Sequence, residues 1–188
     1  MKRLLLPIAA LLLSDALLLL GHGLLLTLLP IRAEIVDFSA AQIGLTGSAY
    51  FIGFVAGCLL TPLIVRRVGH IRSFAVLCSV FSAVTLLFHP FADFFSWLAL
   101  RFMVGACISG LYMVIESWLN ERSTRETRGT ILSVYTVINL SMIMLGQQLL
   151  NFADPAEPAL FVLAAILLSL AVVPVSLTLS LAPAPIQA

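Results

Sequence analysis

Charge is what this sequence has least of. Asp, Glu, Lys and Arg make up 10% of the 188 residues, against 61% for the hydrophobic types. A water-soluble domain cannot hide that much apolar surface, so lipid is the solvent expected for the outer faces. The net charge of +1 gives no sign of nucleic acid, because the bases are spread along several short loops. Cysteine is scarce as well. Cys58, Cys78 and Cys107 show no metal-ligand spacing, so they are expected as small packing residues in thiol form, with no metal and no cofactor. A nucleophile elbow, a phosphate loop and an HExxH pattern are all missing, and with them the usual signs of an enzyme. Soluble domains, low-complexity segments and long linkers are absent too.

What is present is a set of six apolar runs, at 4–29, 44–65, 73–88, 96–119, 131–151 and 159–181. Most are long enough for a hydrocarbon core of about 30 Å, which takes about 20 helical residues. The third is short as drawn and is expected to extend through His89 and Pro90. Loops after the first, third and fifth runs hold Glu34, Asp37, Asp93, Asp154 and Glu157 against one base, Arg32. The N-terminus and the other two loops hold Lys2, Arg3, Arg66, Arg67, Arg72, Arg122, Arg125 and Arg128. The positive-inside rule then puts both termini in the cytoplasm, with six crossings of a bacterial cytoplasmic membrane between them. Met1-Lys2-Arg3 before a leucine-rich run imitates a secretory signal peptide. That run is too long, contains Asp15 and ends at Thr27–Pro30 without a small-x-small site, so a retained first helix is expected. No cytoplasmic module is expected after the short Pro/Ala tail at 182–188.

Ionisable side chains in spanning helices cost about 2.5–3.5 kcal/mol each on insertion scales, so each asks for a reason. The first helix has Asp15 near its middle and His22 two turns on, on the same face. In the fourth, Arg101, Gly105, Ile108, Tyr112 and Glu116 follow steps of three and four and form one stripe. The fifth adds Asn139 at mid-depth and Gln147 two turns outward. The third and sixth have almost no strongly polar residue at their centres, so they are expected to face lipid while the first, fourth and fifth face an aqueous path. Asp15 and Arg101 are expected to approach each other. The alternatives are snorkelling for Arg101 and Glu116, and interhelical hydrogen bonding for Asn139 and Gln147. Gly53 and Gly57 form a small-xxx-small pair that lets a neighbouring helix come close. Pro62 and Pro174 favour bends.

Arg66-Arg67-Val68-Gly69-His70-Ile71-Arg72 occupies the loop after the second helix, where the major facilitator superfamily carries Asp-Arg-x-Gly-Arg-Arg. Arg67 and Gly69 match, while Arg66 stands where the acid belongs and Pro62 where the leading glycine belongs. Arg101-x3-Gly105-x4-Gly110 is similar to the family's fourth-helix motif, whose arginine lies in the central path of proton-coupled members. Glu121-x6-Arg128-Gly129 is similar to the acid-x6-Arg-Gly latch of sugar porters. The stretch Ile115–Asn120 with Arg128-Gly129 resembles a poorly characterised bacterial subfamily. In order and spacing the whole chain resembles the amino-terminal six-helix half of a major facilitator transporter.

The resemblance implies an all-α membrane protein: six transmembrane helices, half of the major facilitator fold, built as inverted three-helix repeats at 1–90 and 91–188 within one domain. It implies a secondary transporter for a small solute, proton-linked, working as a two-fold dimer because family members have twelve helices and this sequence has six. Asp15, His22, Arg101, Tyr112, Glu116, Asn139 and Gln147 would line the substrate or proton path. Arg66, Arg67, Gly69, Glu121 and Arg128 would form the cytoplasmic gate. The expected partners are the bilayer, the solute and a second copy or other membrane subunits. The alternative is a non-transporting accessory or assembly subunit of a larger membrane complex.

Overall fold

A computed structural model describes residues 2–177, with side chains described from Ile8 onward. The tail at 182–188 and the side chains of Lys2 and Arg3 lie outside the described residues. The chain runs α1 (Lys2–Ile35), α2 (Ala40–Val68), α3 (His70–Leu87), α4 (Phe94–Arg122), α5 (Arg128–Gln148), a 3-10 turn (Leu149–Phe152), α6 (Ala159–Leu170) and α7 (Val172–Ser176). Six stretches are long and apolar enough to cross a membrane, α5 with its 3-10 turn forming the fifth and α6 with α7 the sixth. The protein is an all-helical, six-span bundle.

The ends of the spans differ from the hydropathy runs in ways the chain explains. α1 continues through Pro30 to Ile35, where Leu28, Leu29 and Ala33 are still buried against other helices. The third span lengthens toward its start instead of its end. It begins at His70 and stops at Leu87, before His89 and Pro90. Gly69 makes that early start possible: its φ of +82° lies in the left-handed region open to glycine, and turns the chain directly from α2 into α3. The sixth span breaks between Leu170 and Val172. Pro174 has no N–H to give the Leu170 carbonyl and its ring crowds that group. Pro62, by contrast, sits within an unbroken α2.

Two N-termini are closed by their own side chains. Ser39 and Gln42 form a capping box, with Ser39 N–H donating to Gln42 Oε1 at 2.8 Å and Gln42 N–H to Ser39 Oγ at 3.3 Å. Asp93 Oδ1 accepts from Ser96 N–H at 2.9 Å.

α1 packs against α5 and α6, α4 against α2 and α3, and α3 against α6. Exchanging the first three spans for the last three leaves that set of packed pairs unchanged. The α2–α4 seam is backbone on backbone: a methyl at Gly53 would collide with the Phe102 carbonyl, one at Gly57 with Ala106, and one at Gly105 with the Tyr50 carbonyl. The α1–α5 seam is built the same way, from Gly23 against Ile143 and Gly146 against Leu20. Between α3 and α6, Ser82 Oγ donates to the Ala165 carbonyl at 2.9 Å. In lipid such close packing and interhelical hydrogen bonds hold helices together, since burial from water does not.

The aromatic centre lies where α3 and α4 meet, with Phe74, Phe81, Phe88, Trp97 and Trp118 buried and Trp97 Nε1 donating to the Phe88 carbonyl at 3.2 Å. α3 is therefore well covered. The spans that leave most of their surface open are α2 and α5, through residues such as Phe51, Val55, Leu59, Val137, Leu140 and Met144. This corrects the expectation that the third and sixth spans are the lipid-facing ones. In a bundle dissolved in lipid, an apolar side chain serves a buried face and an exposed face equally well. Lack of polarity therefore does not reveal which way a helix points.

Candidate functional site

Asp15 is fully buried on α1. Turned so that its amide nitrogen faces the acceptors around it, Asn139 of α5 donates to Asp15 Oδ2 at 2.6 Å and to the Tyr135 carbonyl at 2.9 Å. The Asn139 oxygen then accepts from the Tyr135 hydroxyl at 3.2 Å. That hydroxyl also lies 3.5 Å from Glu116 Oε1 on α4. A polar chain therefore runs Asp15–Asn139–Tyr135–Glu116 across three helices. Tyr112, one turn before Glu116 and half-buried, lies within electrostatic reach of both acids. Asp15 Oδ1 has no hydrogen-bond partner. Glu116 is the exposed end of the chain.

A second cluster lies toward the other end of the path. His22 is 4% and Arg101 8% exposed, so neither reaches out to the membrane surface. For Arg101 this decides against snorkelling. The His22 ring stacks on Tyr50 of α2 with centroids 6.3 Å apart and meets Phe81 of α3 edge-on at 5.9 Å. Arg101 is near enough to both His22 and Tyr50 to interact with them electrostatically. His22 Nδ1 and Arg101 Nε are buried without a hydrogen-bond partner.

The two clusters are separate, and this corrects the expected pairing of Asp15 with Arg101. No ion pair forms between them, and the acid within electrostatic reach of Asp15 is Glu116. The reason is register: Asp15 to His22 is seven residues, a rise of about 10 Å along α1. Arg101 sits beside His22, at the far end of that rise. Gln147 is exposed and joins neither cluster. Met142 and Met144 face outward or partly so, away from both.

At the end of the bundle where α2 turns into α3, the structure brings Glu121 of the expected gate together with His70, which the sequence did not single out. His70, 5% exposed, places Nε2 3.1 Å from Ser117 Oγ and 3.7 Å from Glu121 Oε1, with its ring 6.4 Å from that of Trp118. Glu121 therefore pairs with His70, and among the described residues Arg128 forms no ion pair with it. Arg66, Arg67 and Arg128 are exposed, and Gly69 supplies the turn. Among the described residues no group of three His, Cys, Asp or Glu could hold a metal ion. Cys78 and Cys107 are buried, Cys58 is partly so, and all three are free thiols.

Sequence reasoning missed Tyr50, Tyr135 and His70. Tyr135 was reachable, since it lies one turn before Asn139 and on the same face. Tyr50 and His70 join their clusters only through contacts between helices, which periodicity along one helix does not carry.

Six apolar spans around a buried, ionisable interior define a polytopic membrane protein. The chain belongs to the Major Facilitator Superfamily, whose family model matches residues 11–187. It is similar to proteins described as "Uncharacterized MFS-type transporter YcaD" from Escherichia coli K12 (DH10B) and Escherichia coli O157:H7 (EC4115). Each is 33% identical over 145 residues, covering 77% of this chain and 38% of the relative. The matched region thus spans well under half the length of these relatives. Family membership makes this a multi-pass membrane protein of a transporter family, which points away from an enzyme.

Proposed function

We propose that this chain is a six-helix unit of a proton-linked secondary transporter for a small solute, with residues 1–90 and 91–188 as inverted three-helix repeats. Transporters of this kind bind solute at the interface of two repeats or bundles that rock against each other. The second bundle is a second copy of the chain, related by a two-fold axis along the membrane normal, which both copies must share if they insert with the same topology. The membrane is the bacterial cytoplasmic membrane, and the termini and the arginine-bearing loops after α2 and α4 lie in the cytoplasm. The gate there is held by Glu121 and His70, beside the exposed Arg66, Arg67, Gly69 and Arg128. The exchange-invariant set of packed helix pairs supports the repeat reading.

One observation carries the proton reading: Asp15, buried in mid-span, is held by Asn139 through one oxygen while the other has no partner. A carboxyl is a group that can take up and release a proton, and the free oxygen is where one can sit. The chain Asn139–Tyr135–Glu116 links that position toward the exposed carboxylate at the other end. In vesicles with an imposed proton gradient, the native protein should move protons on addition of its solute, and Asp15→Asn should not. The amide keeps the volume and part of the hydrogen bonding but cannot exchange a proton.

The open apolar faces of α2 and α5 also suit the second reading, an assembly subunit docked among other membrane proteins. The composition of the native complex in mild detergent decides between them. Two copies support transport. One copy with unrelated subunits, together with indifference of cells to Asp15→Asn, supports the assembly role.

A further inference from the structure

The two buried clusters are not equivalent, because their charges differ in how they can be neutralised. A carboxylate sheds its charge by taking a proton, whereas a guanidinium holds its charge at any pH a protein survives. Asp15 can therefore sit in the bundle as a neutral acid. Arg101 has no such escape. It is 8% exposed, its Nε has no hydrogen-bond partner, and no carboxylate among the described residues lies within 4.0 Å of it. Residues 1–7 and 178–188 contain no Asp or Glu that could serve instead. Leaving one partner of a buried charge pair alone costs several kcal/mol, so a guanidinium in this position calls for an anion.

The surroundings are arranged for one. Arg101 on α4, Tyr50 on α2 and His22 on α1 converge from three helices. The Tyr50 hydroxyl and the imidazole add neutral donors to the guanidinium fork, and the fork matches the two oxygens of a carboxylate or phosphate. Gly105 fixes the arrangement: its missing side chain lets the Tyr50 backbone lie directly on α4, one turn beyond Arg101. His22 is held between Tyr50 and Phe81 with its Nδ1 unpartnered.

We propose that Arg101, Tyr50 and His22 form the binding site for the anionic group, a carboxylate or a phosphate, of the transported solute. The inference rests on the transporter reading and adds the chemical class of its substrate. A monoanion on Arg101 and a proton on Asp15 would cross together without net charge.

The test is protection of Arg101 from phenylglyoxal, read by mass spectrometry on the full chain in maltoside micelles, which contain no phosphate. Benzoate, inorganic phosphate and methylammonium are added separately against a constant chloride background. Benzoate or phosphate should slow modification of Arg101 progressively as its concentration rises past its dissociation constant, and methylammonium should not. The exposed Arg66 and Arg67 serve as internal controls and should react unchanged. Tyr50→Phe should raise the anion concentration needed for half-protection about fivefold, one neutral hydrogen bond. Which anion protects better separates a carboxylate site from a phosphate site. Equal protection by methylammonium, equal protection at Arg66, or none at Arg101 would overturn the proposal. So would an Arg101 that resists reagent with no anion added, because a site for a solute must be reachable from water. Loss of proton-coupled flux with protection intact would count against the transporter reading alone. Flux intact without protection would count against the anion site alone.

Discussion

Asn139 reaches across the α1–α5 seam and holds Asp15, nitrogen to Oδ2, at 2.6 Å. The bond joins the one fully buried carboxylate among the described residues to a helix that otherwise leaves most of its surface open. Asn139→Ala removes the donor and leaves a buried acid unsatisfied, so it should destabilise the fold by about 1–2 kcal/mol. A double-mutant cycle with Asp15→Ala should return a coupling of about 0.6–1.7 kcal/mol, the range for hydrogen bonds between membrane helices. Reversible unfolding in mixed micelles measures it. Strict additivity would mean that the two side chains do not touch.

Glycines that look alike in sequence should behave differently. Gly53→Leu and Gly105→Leu push a side chain into a facing backbone that has no room to yield, and should cost about 1–3 kcal/mol or more. Gly44 and Gly47 face open space inside α2, so replacing either by Ala should leave stability unchanged or raise it by up to about 1 kcal/mol. Unfolding midpoints of the four variants give the comparison, and a uniform response would contradict the seam.

Topology can be read with two single cysteines in a background lacking Cys58, Cys78 and Cys107. Ser39 precedes α2 and Ser123 follows α4, at opposite ends of spans that the charge bias orients. A membrane-impermeant maleimide applied from outside should label Ser39→Cys in whole cells and Ser123→Cys only after the membrane is opened. Labelling of both from one side would reject six crossings with cytoplasmic termini.

The cap of α4 should show in the pH dependence of stability. Hydrogen bonds from Ser96, side chain and backbone, hold the Asp93 carboxyl below its ordinary value of 3.8. A carboxyl depressed in the folded state stabilises at pH above its unfolded value, and that contribution is lost as pH falls through the folded value. Asp93→Ala should therefore lower the melting temperature at about pH 7, and the gap should shrink at about pH 3. Asp93→Asn keeps a good cap and should show little of this dependence. A gap of the same size at both pH values would mean that the ionised carboxylate is not what caps the helix.

Much of the bundle could be read before any coordinates. Long apolar runs between charged loops fix spans because the bilayer sets their length, and Gly53 with Gly57 announced one close seam. The matching seam at Gly23 and Gly146 stayed hidden, since those glycines lie far apart in sequence and follow no spacing within one helix. For the same reason Asp15 was matched to the wrong partner. Opposite charge suggested Arg101, but helix register set Asn139 beside it, and a neutral amide, though legible as a candidate, does not announce its partner. Arg101, Asp15 and His22 were legible as candidates because any polar group inside a membrane stands out. Which of them meet is decided by packing between helices.

Where backbone meets backbone, no side chain is left to give way. Gly53 against Phe102 and Gly23 against Ile143 act like rivets, so the helices they join turn together or not at all. α1 meets α4, and α4 meets α5, only sparsely and without such a rivet. Asp15, Tyr112, Tyr135 and Glu116 all stand at those joints. The ionisable groups of this bundle thus stand where its helices are least tightly joined.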